Sequence, residues 1–275
     1  MAHEGHGNHW ECIFEDVEQL TQFLPKMVER GRLIDKIDKG GLADGDTVGI
    51  AWPDAPLRGL SLISGVRESG VPRQLFMSAF PYAASGLRRR LVVEEIIPWQ
   101  NGIEGWIKAS PPGDDGPSLT FFDTRFYANQ RLMKRGLEAE FMLAGLAYFA
   151  EVAHTEPILI TKEDTIRAMR AGTAQADDLS PIEVRMDGAA MLFPQDKYAP
   201  DEYEFHAPVK MIETFDVFDR RMAKLTITVA RLLEADDPDI DLELFVGDHV
   251  WRSNERPMPG SDVQGVLWLQ GCLSA

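Results

Sequence analysis

The sequence predicts a mainly β protein of the α+β class, built from two similar antiparallel sheet or barrel modules of OB-like character. An amphipathic helix precedes them and a short helix lies between. Three observations carry this. The segment Leu242–Cys272 reads as an alternating strand, a turn closed by Pro257, Pro259 and Gly260, and a second apolar strand. The same layout occurs 124 positions earlier, where Phe121 falls on Phe245, Gly136 on Gly260 and Leu143 on Leu267. Tight-turn signals such as Asn101-Gly102 separate runs of strand length.

Taken in order, the chain divides into residues 1–45 as a helical segment, 46–155 as the first β module, 156–200 as a linker with a short helix, and 201–275 as the second module. The opening MAHEGHGNHWEC spaces His3, His6, His9 and Cys12 by three. On a helix that spacing stacks neighbours on one face and could chelate a transition metal. Gly5 and Gly7 weaken a helix there and favour a frayed terminus instead. From Glu11 onward Ile13, Phe14, Val17, Leu20, Phe23, Leu24, Met27 and Val28 recur at helical steps, with Pro25 as a kink or restart. Gly40-Gly41 and Asp44-Gly45 mark a break. Thr47–Trp52 and Leu60–Ser64 then read as short strands, and Ser78–Gly86 as a small-residue loop around Pro81.

The first module's strands are Leu91–Ile97, Ile103–Ala109, Leu119–Tyr127 and Leu137–Tyr148. In the last, Leu137, Ala139, Phe141 and Leu143 alternate with Glu138, Glu140 and Met142. A helical reading of 135–151 ranks behind the strand. Thr161 and Asp164 resemble a helix start, with Ile166 and Met169 on a helix that ends near Gly172. Ile182–Met186 and Ala189–Phe193 are short strand candidates. The second module runs Tyr203–Phe215, Lys224–Leu233, Ile240–Trp251 and Asp262–Cys272. Its final strand is too apolar to face water on either side. A closed five-stranded barrel in this half needs one more strand, for which the 182–193 segment is the nearest source.

The wording FFDTRFYAN and LAGLAYFAE, then DEYEFHAPV and GVLWLQG, resembles that of an uncharacterised bacterial protein family across residues 90–275. The resemblance implies a bacterial source and brings no activity, cofactor or functional residue.

The 275 residues carry 44 acids against 28 bases, a net charge of −16. Such a field repels phosphate backbones and anionic lipid and attracts basic partners. Two cysteines, Cys12 and Cys272, make no disulfide framework, which fits a reducing, cytoplasmic setting. No basic-then-apolar leader opens the sequence and no apolar run reaches the ~20 residues of a membrane helix. Neither GxGxxG, GxxxxGK[ST], HExxH nor a Cys/His zinc pattern occurs, so no cofactor is expected and no catalytic residue is assigned.

The leading expectation is therefore a non-enzymatic acidic binding protein that acts through a protein partner of basic character. One alternative is an OB-like binder of single-stranded nucleic acid or oligosaccharide, with Trp106 facing outward and Tyr127 as a stacking surface. Arg88, Arg89 and Arg90 would supply its anion contact, although the net charge argues against nucleic acid. Another is a hydrolase or metalloenzyme near Asp248 and His249, with Asp262 close by. The turn bearing Asp248, His249, Trp251 and Arg252 is where a ligand is first sought.

Overall fold

The computed structural model describes residues 5–35, 42–113, 117–154, 156–195, 197–231 and 239–274. His3, Gly40, Gly41 and the loop acids Asp114, Asp115, Asp236 and Asp237 lie outside the described residues.

Of the apolar residues after Glu11, Ile13, Phe14, Leu20, Phe23 and Met27 are buried while Val28 is exposed, and one long helix does not bury them. The chain makes 3-10 turns at Asn8–Cys12 and Val17–Gln22, followed by the seven-residue helix α1, Leu24–Arg30. Asp16 is the reason for the break: its extended backbone and its carboxylate, which accepts from the Glu18 N–H at 2.8 Å, cap the second turn. Pro25 sits in the first turn of α1, where its missing N–H leaves no bond unmade.

A four-stranded antiparallel sheet follows, in the order β1 Arg32–Leu33, β2 Thr47–Trp52, β3 Leu57–Glu68, β4 Val71–Ala83. Strands β3 and β4 are far longer than their hydrophobic pattern suggested. Glu68 pairs with Val71 across Ser69 and Gly70, whose φ values of 51° and 83° make a tight two-residue hairpin. The stretch around Pro81, expected as loop, is the end of β4. Pro81 is accommodated there because β4 is an edge strand.

The remaining strands are β5 Leu87–Pro98, β6 Gly105–Ser110, β7 Leu119–Asp123 and β8 Glu138–Val152, with helix α2, Phe126–Asn129, between the last two. Strands β9 Ile158–Ile160 and β10 Ile182–Val184 pair with each other around α3, Glu163–Arg170. Then come β11 Met191–Pro194, β12 Glu202–Val217, β13 Arg220–Arg231, β14 Asp239–Gly247 and β15 Asp262–Leu273. Except for β9 and β10 these form one sheet that closes on itself twice. One ring runs β5–β6–β7–β15–β8 and back to β5; the other runs β12–β13–β14–β8–β15 and back to β12. Each is a five-stranded barrel, the number an OB-type barrel uses, and β8 and β15 belong to both.

The fifth strand of the second barrel is thus β8 and not the 182–193 segment, whose β11 only extends the sheet beyond β12. The expected boundary at 155 does not separate the barrels, because each borrows a strand from the other half. Residues 47–83, placed in the first module by sequence, make their own sheet. The offset of 124 carries Leu146 to Gln270 and Phe122 to within one position of Phe245. These residues make the two parallel contacts that close the barrels, Phe122 with Gln270 and Leu146 with Phe245. The same offset carries Gly105, which begins β6, to Val229 near the end of β13, so the gapless correspondence fails ahead of β7.

One core fills the barrels, with Phe121, Phe141, Leu225, Leu244 and Leu267 among its buried members. A second, aromatic core lies between the barrels, the four-stranded sheet and the N-terminal turns, and includes Trp10, Phe14, Phe80, Phe122 and Trp268. No helix among the described residues is long and apolar enough to cross a membrane. Where β15 passes β8, a Cβ on Gly265 would fall on the Phe149 carbonyl and press on the Phe205 ring. Gly265→Ala is expected to lower the free energy of unfolding by about 1–3 kcal/mol, read from urea denaturation; an unchanged midpoint would contradict this packing.

Candidate functional site

The residues that gather most polar chemistry come from the N-terminal turn and the β5–β6 turn. Three-residue spacing within tightly wound backbone brings side chains into register. His6 and His9 accordingly meet, Nδ1 to Nδ1, at 2.8 Å. The other His6 nitrogen, Nε2, lies 2.7 Å from Glu104 Oε1. Asn101-Gly102 forms the expected turn: Asn101 Oδ1 accepts from the N–H groups of Ile103 and Glu104, both at 3.1 Å. That turn delivers Glu104 into the interior, where its carboxylate also accepts from Ser78 Oγ at 2.8 Å and from Asn101 Nδ2.

The cluster continues through ring stacking. His9 lies 3.7 Å from the Trp268 ring, 12° from parallel, and the Trp268 indole N–H donates to Asp201 Oδ2 at 2.6 Å. Beside it Glu202 accepts from the Tyr148 hydroxyl at 2.6 Å and from Asn8 Nδ2 at 3.4 Å. Burial lowers the His9 pKa well below the usual imidazole value, assisted by the charge of His6, so His9 is held neutral. Burial pushes Asp201 up to about 7, against the opposing pull of the Trp268 and Trp106 indole N–H groups. Burial likewise raises Asp123, at the end of β7, to about 7, although the Arg125 N–H donates to it at 3.0 Å.

A cavity of about 470 Å³ opens against this cluster. Its apolar walls include Trp10, Leu24, Phe76 and Trp99, and its polar end is His6, Ser78, Asn101 and Glu104. Ser78 bonds to Glu104 and not to an imidazole, so the nucleophile–base–carboxylate order of acyl-transfer enzymes is not formed.

The expected site residues are scattered. His6 and His9 come together, but both His6 nitrogens are committed to hydrogen bonds, and among the described residues no group of three or more His, Cys, Asp or Glu could hold a metal. Trp106 does not face outward. It is 5 % exposed and meets Trp99 edge-on at 5.3 Å, because the far side of β6 is covered by the aromatic core. The outer face of β6 and β7, where OB barrels take bases or sugars, is occupied by His6, 5.0 Å from Phe122. Tyr127 is no stacking surface either. Its hydroxyl donates to Asp35 Oδ2 at 2.6 Å, beside the Arg125–Asp35 ion pair at 2.6 Å.

The arginine triplet lies on β5 and is spent on neighbouring strands. Arg90 pairs with Glu138 at 2.6 Å, Arg88 with Glu140 at 3.9 Å, and Arg89 donates to the Asp239 carbonyl at 2.9 Å. Asp248 and His249 share the rim of a cavity of about 530 Å³ but serve different partners. Asp248 faces Arg256 at 3.6 Å, while His249 Nε2 bonds the Glu11 carbonyl at 2.8 Å. Asp262 pairs elsewhere, with His206 at 3.5 Å and the Gly188 N–H at 2.6 Å. Trp251 bridges to Ala150 and lies under Arg256, and Arg252 stacks 3.8 Å over Phe149. Sequence reading missed Glu104, Ser78 and Asp201; only the Asn101-Gly102 turn pointed near one of them.

The buried acids fix a pH dependence. Asp201 has a pKa of about 7 in the fold and 3.8 as its ordinary value. It binds its proton on folding between those limits, so its contribution is full below pH ~4, declines as pH rises, and is gone above pH ~7. Neutral His9 acts oppositely: its contribution is present above pH ~6.5 and declines below. Asp201→Asn keeps an acceptor for Trp268 and removes the first effect. It is expected to exceed the parent's unfolding free energy by roughly 2–4 kcal/mol at pH 8 and to match it near pH 4. Asp123 leaves a residual slope in both proteins. Urea titrations across that range check it, and equal stability at pH 8 would refute it.

No family model matches the chain, and no curated protein matches it. Among solved structures it is similar to the cytoplasmic molybdate-binding protein ModG with molybdate bound, at 11 % identity, covering 70 % of this chain and 98 % of that one with a TM-score of 0.30. At that score the overlap transfers neither ligand nor function.

Proposed function

We propose that the protein is a non-enzymatic binding protein that holds an extended segment of a protein partner along the free edge of β4. The observation that carries this reading is the exposure of Val71–Met77 over its whole length, with Val71 57 %, Leu75 47 % and Phe76 50 % exposed. β4 ends its sheet, so the backbone groups on its outer side are a template for another strand. Proteins normally blunt such edges with charge or proline; here Pro72 and Arg73 stand at one end and a register shift at Met77 at the other, and Gln74–Phe76 lie between them. Next to the edge, a groove of about 490 Å³ is lined by Val48, Ile50, Ile63 and Phe76. An added strand gains affinity from main-chain bonds and selectivity from pockets for alternate side chains; this groove supplies such a pocket.

Charge narrows the partner. Net charge alone favours a basic one, but from Ser69 to Val93 the chain has no acid; Arg73 pairs with Glu68 at 2.8 Å, and Arg88, Arg89 and Arg90 are spent on neighbouring strands. Arg67 pairs across the hairpin with Pro72. The edge therefore suits an apolar segment, even within a molecule of charge −16. A cytoplasmic place of action belongs to the same reading, supported by Cys12 and Cys272, both buried and unbridged.

Peptides selected from a random library on the full chain are expected to alternate apolar residues. Leu75→Lys combined with Phe76→Lys should weaken them at least about tenfold without changing the thermal unfolding profile. Hydrogen exchange of residues 71–77 should slow when such a peptide is bound. Selected peptides that bind the double variant equally well, or that leave these amides unprotected, would overturn the reading.

A further inference from the structure

We infer that the cavity between the N-terminal turn and the β5–β6 turn is a site for a small organic cation, an ammonium group carried on a flat apolar body. The cavity meets β4 through Phe76, Met77, Ser78 and Ala79, and Phe76 also borders the neighbouring groove. Its volume, about 470 Å³, is in the range of small-molecule sites, and its composition is that of one: apolar walls with convergent polar groups at one end.

The polar end specifies the ligand's charge. Glu104 is buried, and the cavity's described lining residues include neither Lys nor Arg; His6, 2.7 Å away, balances it only when protonated. Its partners are the His6 imidazole, the Ser78 hydroxyl and the Asn101 amide. A carboxylate has about four acceptor positions, so three donors leave room for one more. An anion entering here would meet this carboxylate, whereas an ammonium would complete it with a charge-assisted bond. The walls favour the same ligand: the rings of Trp10, Phe76 and Trp99 line the cavity, and aromatic faces attract cations while accepting flat apolar bodies.

Two of the six tryptophans line the cavity, so intrinsic fluorescence reports occupancy. The full chain is titrated with benzylamine, phenethylamine and tryptamine, and with two matched controls, phenethyl alcohol and phenylacetate. At least one amine is expected to change the fluorescence saturably and to bind at least about tenfold tighter than the alcohol, with phenylacetate weakest. Glu104→Gln should bring amine and alcohol to similar affinity. Leu24→Trp, which fills the cavity without touching Glu104, should abolish both, with an unchanged circular dichroism spectrum showing that the fold persists. Absence of saturation with all three amines overturns the inference. So does an alcohol that binds as tightly as the amine, or amine binding that survives Leu24→Trp.

Discussion

The antiparallel pairing of β8 with β15 is the constraint on which the rest of the molecule depends. It runs in register from Val263–Val152 to Leu273–Phe141, with one irregularity between Val266 and Leu267. Each strand is longer than one barrel needs and spends its two ends in different barrels. The start of β8 pairs with β5 and its middle with β14. The start of β15 pairs with β12 and its end with β7. Neither strand keeps a free edge where it crosses, and its side chains are buried on both faces. That explains the small residues at the crossing, Ala144, Gly145, Ala147 and Ala150 on one strand and Gly265 and Gly271 on the other. Opening either barrel strips pairing from the strands that close its neighbour, so the two are coupled through shared hydrogen bonds and not merely through an interface.

The N-terminal turns are a second layer added to this frame. They cover the outer face of β6 and β7 with aromatic surface, and they do so with polar groups in the middle of it. A buried imidazole or carboxylate costs free energy unless its bonds are made. Here the His6–His9–Glu104 series makes them internally, and the Trp268–Asp201 bond continues it beneath the His9 ring. The segment is therefore positioned by direction-dependent contacts as well as by burial of Trp10, Ile13 and Phe14. The cavity exists because the four-stranded sheet and these turns meet the barrel without filling the corner beside Glu104.

Strand periodicity revealed the barrels best where one face is wet or where strand length is ordinary. Ile240, Leu242 and Leu244 alternate with Asp241 and Glu243, and β14 lies over that stretch. The mainly β class and the strand character of β8 followed from the same kind of pattern. Sharing of strands was not legible, since pairing partners are a property of the whole chain and β8 carries no mark of its second barrel. The long hairpin of β3 and β4 was missed because its apolar residues do not alternate against a dry face. Its outer half is exposed, and Pro81, Ser85 and Gly86 look like loop chemistry. The N-terminal periodicity identified the buried residues but not the backbone, because three- and four-residue steps fit 3-10 turns joined by a cap as well as a helix. Trp106 was oriented by alternation alone, which says which residues share a face and nothing about whether the opposite face is also covered. Glu104 became a site residue only through burial by segments about 25 and 98 positions away, a distance no local pattern spans.

Of the two strands shared by both barrels, β15 emerges after every other strand of either ring. During synthesis β5 to β8 can pair as soon as they emerge, and β12 to β14 can follow, yet each set remains an open sheet until residues 262–273 arrive. Contacts of such sequence separation form late, and sheets with unpaired edges are exposed to wrong pairing while they wait. The unfinished chain would present the unclosed edges of two incomplete barrels at once, and β15 would cap both, pairing with β12 through residues 262–268 and with β7 through Gln270 and Gly271. In cells, the molecule's vulnerable interval therefore lasts until β15 has emerged from the ribosome.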